Sequence, residues 1–245
     1  TILTNAAGAV MGMAAHGIPM TRGDKPVITT TAFGNTDAVV NHARRLLEKE
    51  GFEVIAFHAS GACGSAMEDL IAQGYVQGVL DLTTHELVGE IFGDDIYTPL
   101  RPRLEEAGKR GIPQVIAPGG LDYFCFGPAS TIPEKYRNRK IHYHNPYNTN
   151  VRTTVEEAVK IGEVLAQKLN RSTGPVAVLI PLQGWSENGR KGNPLHDPEV
   201  DAAMVRSLEE HLDPKIELLK IDANINDPVF AETAARVMCE LMRRQ

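Results

Sequence analysis

Apolar positions along the chain alternate between two periods. From Pro26 onward, short β-branched or aliphatic runs give way to stretches in which apolar residues recur every three or four positions, and then the runs return. KPVITTTAFG predicts a buried strand. NTDAVVNHARRLLEKEG predicts a helix with Val39, Val40, Ala43, Leu46 and Leu47 on one face, a cap from Asn35, Thr36 or Asp37, and a stop at Gly51. FEVIAFHA is a second strand, and Ser65 to Gln73 a helix closed by Gly74. VQGVLDLTT, IPQVIAPGG, GPVAVLIPLQG and KIELLKID supply four more strands. HELVGEIFG, LRPRLEEAGKRG, TTVEEAVKIGEVLAQKLN, EVDAAMVRSLEEHL and INDPVFAETAARVMCELMRR read as helices. Thr153 or Thr154 caps the third of these, and Asp227 with Pro228 opens the last.

About six strand–helix alternations predict an open doubly wound, Rossmann-like parallel sheet with helices on both faces. A closed barrel would need eight units. The reading is a single α/β domain over residues 26–245. Residues 1–25 read as the end of an interdomain helix, AAGAVMGMAA, followed by a Gly/Pro-rich linker, HGIPMTRGDKP. The chain opens without methionine, so a further N-terminal half is expected. One segment breaks the rhythm. Leu121 to Thr153 holds Pro128, Pro133 and Pro146 with six tyrosines and phenylalanines, and reads as a long irregular loop of the kind that is usually functional.

Composition narrows the picture. The chain has 245 residues, 42% of them hydrophobic, which suits one large α/β domain. A net charge of −6 without any Lys/Arg block argues against nucleic acid as a partner. No apolar run approaches the roughly 20 residues that cross a bilayer, so no membrane partner is expected. Cys63, Cys125 and Cys239 lie far apart, which suits neither a disulfide framework nor a zinc finger and points to the reducing cytoplasm.

Ligands of such sheets bind at the carboxyl ends of the strands. That rule selects TTAFGNTD, FHASGACGSA, DLTTHE, APGGLDYFCFGP, PLQGWSENG and DANINDP. SGACGSA places Gly61 and Gly64 just before a helix, with Ser60 and Ser65 beside them, where backbone amides can hold an anion. It has no Lys-Ser/Thr and is not a Walker loop. Gly34, Asn35 and Thr36 repeat the architecture, and the two loops together make a cradle for a phosphate or carboxylate. Each loop also reads simply as a tight turn. Gly119, Gly120 and Asp122 follow the fourth strand, and Arg152 can clamp an anionic ligand or form a surface salt bridge. His58, His142 and His144 are the acid/base candidates, with Asp81 and Glu86 beside them. His142 and His144 share one side of an extended segment and could hold a divalent metal with Asp81, Glu86 or Asp122. Cys63, at a helix start, is a candidate nucleophile, with small packed residue as its alternative.

Several long motifs occur together. FHASGACGSAMEDLI, GVLDLTTHEL, GIPQVIAPGGLDYFCFGP, HYHNPYNTNVRTT, LIPLQGWS, LHDPEVDAA and INDPVFAE resemble, in order, the tomato mosaic virus resistance protein family and its bacterial relatives, the Tm-one-like ATP-binding proteins. The resemblance spans essentially the whole chain and implies two consecutive α/β halves, of which this is the second. It implies ATP or another phosphate-bearing ligand, and in the plant member a protein–protein role. The expected function is therefore a nucleotide- or phosphate-binding domain. The alternatives are a non-catalytic regulatory module and a sugar- or carboxylate-binding enzyme domain. The apolar start is expected to be covered in a homo-oligomer (a homodimer in the simplest case) or by the N-terminal half.

Overall fold

The computed structural model describes residues 1–17 and 23–244. Val27–Ala32 (β1), Glu53–His58 (β2), Gly78–Asp81 (β3), Gln114–Ile116 (β4), Val176–Pro181 (β8) and Glu217–Ile221 (β9) pair in parallel as one six-stranded sheet, ordered β2-β1-β3-β4-β8-β9. The chain runs outward from β1 to β2, then returns across it to β3. That reversal makes the carboxyl ends of β1 and β3 the topological switch point, where such sheets bind ligands.

Buried strands alternate their side chains between two helical layers. Ala177 and Leu179 of β8 join the core under Asp37–Lys49 (α2) and Pro228–Met242 (α8). Val178 and Ile180 join the opposite core, with Glu86–Phe92 (α4), Val155–Leu169 (α6) and Pro198–His211 (α7). Ala62–Ala72 (α3) packs with Glu106–Arg110 (α5) around Met67, Ile71, Val79 and Ala107. The doubly wound sheet expected from the alternation is the one observed. Ile2–His16 (α1) buries none of its residues. Ile18 to Arg22, in the expected linker, lie outside the described residues.

Two local expectations are corrected. The segment over residues 121–153 is not irregular. Tyr123–Phe126 (β5), Ile141–Asn145 (β6) and Asn148–Arg152 (β7) form a second, antiparallel sheet ordered β5-β7-β6. Its physical reason is period-two alternation: Phe124, Phe126 and Val151 enter the main core, while Tyr123 and Cys125 face a separate cluster with Phe33, Ala59 and Leu195. The helix expected over LRPRLEEAGKRG is only α5. Leu104 has φ 62°, outside helical space, and Pro102 precedes it.

Candidate functional site

A cavity of about 270 Å³ opens at the switch point. Phe33, Gly34 and Asn35 come from the turn after β1, and His58 from the end of β2. Tyr123 and Cys125 of β5, His144 of β6, and Asn148 and Asn150 of β7 form another wall. Tyr97 and the β8–α7 residues Glu187 and Asn188 complete it. The small antiparallel sheet is thus the roof of the site. Four of its lining residues are asparagines, three are aromatic, and none is Lys or Arg. Asn35 Nδ2 bonds the Tyr123 hydroxyl at 2.7 Å, while Asn35 Oδ1 is buried without a hydrogen-bond partner. Asn148 Nδ2 donates to the Tyr97 hydroxyl at 3.1 Å. Of the residues expected at the site, Gly34, Asn35, His58 and His144 line this cavity. Thr36 instead pins its own turn, its hydroxyl accepting from Phe33 N at 2.9 Å, and ties that turn to the chain just past β3 through the Thr83 hydroxyl at 2.8 Å.

The SGACGSA loop does hold an anion, and the anion is internal. The amides of Gly61 and Gly64 both donate to Glu86 Oε1, the latter at 3.2 Å. A Cβ on Gly64 would lie 1.8 Å from Glu86 Oε2, so glycine is required by the carboxylate itself. Gly61, at φ 81°, turns the chain to bring its amide there. Ser65 Oγ donates to the Gly61 carbonyl at 2.7 Å and accepts from Leu100 N at 2.9 Å, while the Ser60 hydroxyl reaches the His58 carbonyl at 3.5 Å. Cys63, in the first turn of α3, is a partly exposed free thiol.

Glu86 belongs to a buried ion cluster. Arg103, fully enclosed, gives Nε to Glu86 at 2.6 Å, one Nη to Asp81 at 2.8 Å and the other to Glu68. Burial pushes the Glu68 and Glu86 carboxyls up, and Arg103 opposes it. Asp81 also accepts from Thr31 Oγ1. Both acidic acid/base candidates, Asp81 and Glu86, are therefore tied to a fixed guanidinium, away from the cavity wall. Arg152 is consumed likewise. Its guanidinium meets Asp122 Oδ2 at 3.1 Å and Asp201, and burial raises the Asp122 carboxyl against the pull of Arg152. The clamp expected for a ligand grips two of the chain's own carboxylates.

The HxH pair of β6 has ring centroids 6.0 Å apart. His144 is exposed and His142 half-buried, its pKa lowered by burial and by His144. The carboxylates expected to complete a metal site with them, Asp81, Glu86 and Asp122, are committed to arginines. Gly119 approaches the Leu82 carbonyl too closely for any side chain, and Gly120 offers its carbonyl to His85 Nδ1 at 2.6 Å.

His85 leads to a group that sequence reasoning passed over. Its Nε2 lies 3.0 Å from Asp95 Oδ2. Asp95 in turn accepts from Tyr97 N at 2.7 Å and Cys125 N at 2.6 Å. Phe33 and Tyr123 flank the His85 ring at 4.8 and 5.1 Å. Burial alone would lower the His85 pKa; Asp95 and Cys125 hold it well above its ordinary value. Burial raises the Cys125 thiol, and His85 opposes this. Asn150 Nδ2 donates to Cys125 Sγ at 3.1 Å. One signal for these residues was present: in YFCF and NTNVR, alternate residues read as polar or small, marking one face of each strand. Asp95 carried none, since it follows α4 in irregular chain.

Among the described residues no helix is long and apolar enough to cross a membrane. Comparison with known sequences places this geometry among relatives. Residues 25–242 match the C-terminal domain of the uncharacterised protein family UPF0261. The chain is similar to a UPF0261 protein of Clostridium tetani, 43% identical over 99% of this chain and 60% of that protein. It is 34% identical to the ToMV resistance protein Tm-1(GCR237) of Solanum lycopersicum, over 98% of this chain and 33% of the other. The ToMV susceptible protein tm-1(GCR26) of the same plant is equally similar, at 34% over 98% of this chain. The chain thus spans between a third and three-fifths of these relatives.

Proposed function

Because the chain belongs to the uncharacterised protein family UPF0261, as its C-terminal domain, we propose a function from the cavity itself: the domain binds a small, hydroxyl-rich molecule of monosaccharide size at the switch point. The observation that carries this is the wall. Asparagine amides and tyrosine hydroxyls surround aromatic faces, with no Lys or Arg among them. Amides offer paired donors and acceptors suited to hydroxyls. A volume of about 270 Å³ falls at the small end of ligand sites, which run to roughly 300–1,000 Å³. The unpartnered Asn35 Oδ1 costs free energy until a donor reaches it.

A phosphate-bearing ligand, ATP included, is the second reading. It is favoured by Gly34 and Asn35, which bring the start of the 13-residue α2 to the cavity. Against it, Arg103, Arg152 and the glycine-loop amides are all engaged by internal carboxylates. The opposite names of the two tomato relatives, at equal identity, carry neither resistance nor susceptibility over to this chain. Three free cysteines suit a reducing cytoplasm. The exposed apolar side chains of α1, including Ile2, Leu3 and Met11, suit contact with the N-terminal half or a second copy.

Thermal-shift screening tests the reading. A matching sugar or polyol at 100-fold its Kd adds about 2.7 kcal/mol, or a rise of roughly 5–10 °C for a domain of this size. Asn188→Ala should remove most of that rise. A rise with ATP or inorganic phosphate, and none with any polyol, would instead establish the second reading. Turnover of the stabilising compound marks an enzyme, and stabilisation without turnover marks a regulatory module.

A further inference from the structure

We propose that His85, Asp95 and Cys125 form a three-ligand site for a divalent transition metal of the zinc class behind the cavity wall that Cys125 lines. One ligand atom from each of the three lies within 4.8 Å of the others, and the residues are buried. Imidazole, carboxylate and thiolate together are a borderline-soft donor set that suits zinc. With His neutral and the other two ionised, their charge of about −2 balances a divalent cation.

The surrounding hydrogen bonds fit ligation. His85 Nδ1 faces the Gly120 carbonyl at 2.6 Å, so Nδ1 carries a proton and Nε2 is left for the metal. A backbone carbonyl in this place is what orients metal-bound histidines. Asp95 Oδ1 is held by Tyr97 N at 2.7 Å, while Oδ2 accepts from Cys125 N at 2.6 Å and is turned toward His85 Nε2 at 3.0 Å. A His–Asp ion pair alone would explain these two residues. It leaves unexplained why Cys125 Sγ accepts from Asn150 Nδ2 at 3.1 Å, although a thiol sulfur is only a weak acceptor. A metal-bound thiolate is a stronger one. Cys125 also lines the cavity, so a fourth coordination position opens toward the ligand space, the arrangement of catalytic rather than structural zinc sites. The site shares the cavity but does not depend on which organic molecule binds there.

Titrating the full chain with Co(II) alone, without any organic ligand, tests this directly. The expected result is one bound equivalent with a thiolate-to-cobalt charge-transfer band in the near ultraviolet, displaced by Zn(II). A Cys63→Ser/Cys239→Ser variant leaves Cys125 as the single thiol and should keep the band. Cys125→Ser should lose it, and Asn150→Ala should weaken affinity roughly 10–100-fold as an outer-shell change. Absence of bound cobalt would overturn the proposal. So would binding without a thiolate band, a band lost in the double-serine variant, or binding that depends on His142 and His144. Should Cys125→Ser fail to fold, the double-serine variant decides the matter alone. Because no polyol or nucleotide is present, failure here leaves the ligand reading standing, and the converse also holds.

Discussion

Arg103 sets three buried carboxylates around a single guanidinium, so the charges inside that part of the core do not balance. Burial raises the Glu68 and Glu86 pKa values in the folded chain. A carboxyl whose folded pKa exceeds its unfolded one takes up protons on folding, so its contribution to stability improves as pH falls through the folded pKa toward the ordinary value of 4.5. Removing the guanidinium sharpens this dependence. Arg103→Met should cost about 3–5 kcal/mol near neutral pH, because it strands like charges in the interior. The loss should shrink as pH is lowered from neutral toward the ordinary carboxyl value of 4.5, because the raised carboxyls protonate on the way. Urea denaturation of both chains at the two pH values checks it; an equal loss at both would mean the carboxylates are not the origin.

At the scale of elements, α6 starts with a reciprocal cap. Thr154 Oγ1 accepts from Glu157 N at 3.3 Å, and Glu157 Oε2 accepts from Thr154 N at 2.9 Å. Glu157 does more than cap. Both its oxygens meet the Arg139 guanidinium, at 2.7 and 3.0 Å, and Arg139 lies over the Tyr136 ring at 4.4 Å. Thr154→Ala should therefore cost about 1 kcal/mol, and Glu157→Ala roughly twice that, since it also frees the segment before β6. Chemical denaturation ranks them; equal losses would show the Arg139 link to be idle. A cap at Thr153 or Thr154 was legible from TTVEE, and the structure selects Thr154; the six strands of the sheet were legible too, because hydrophobic period and capping chemistry are local. β5, β6 and β7 were not, because their partners are set by tertiary pairing and Pro and aromatic residues dominate the segment. The same divide separates site residues. Gly34, Asn35 and His58 follow from the carboxyl-edge rule, whereas His144 stood out by the HxH spacing of its segment. Glu86 read as a first-turn helix residue, and nothing local showed that its side chain folds back into the glycine loop.

Across the described residues as a whole, the core is built without the first helix. No residue of α1 is buried, and neither main core cluster includes one of its side chains. Deleting residues 1–17 should leave the thermal midpoint within about 2 °C under conditions where the chain is monomeric, consistent with surface changes worth less than about 0.5 kcal/mol. A larger fall would reveal a contact made by α1 with the domain.

The small antiparallel sheet also bears on how the chain folds. Strands β1 to β4 pair among themselves within the first half of the chain. The next partner, β8, meets β4 at Gln114↔Val176 only after the whole roof of the cavity has been traversed. A minimal crossover needs about a dozen residues, and this one is about five times longer. Closure entropy grows only with the logarithm of length, by about 0.6 kcal/mol per doubling, so the detour adds roughly 1.5 kcal/mol to joining the two halves of the sheet. Tyr123, Cys125, Asn148 and Asn150 all lie on that detour. Pairing of β1, β2 and β3 requires none of them, so the roof of the cavity is expected to be among the last parts of the chain to become ordered.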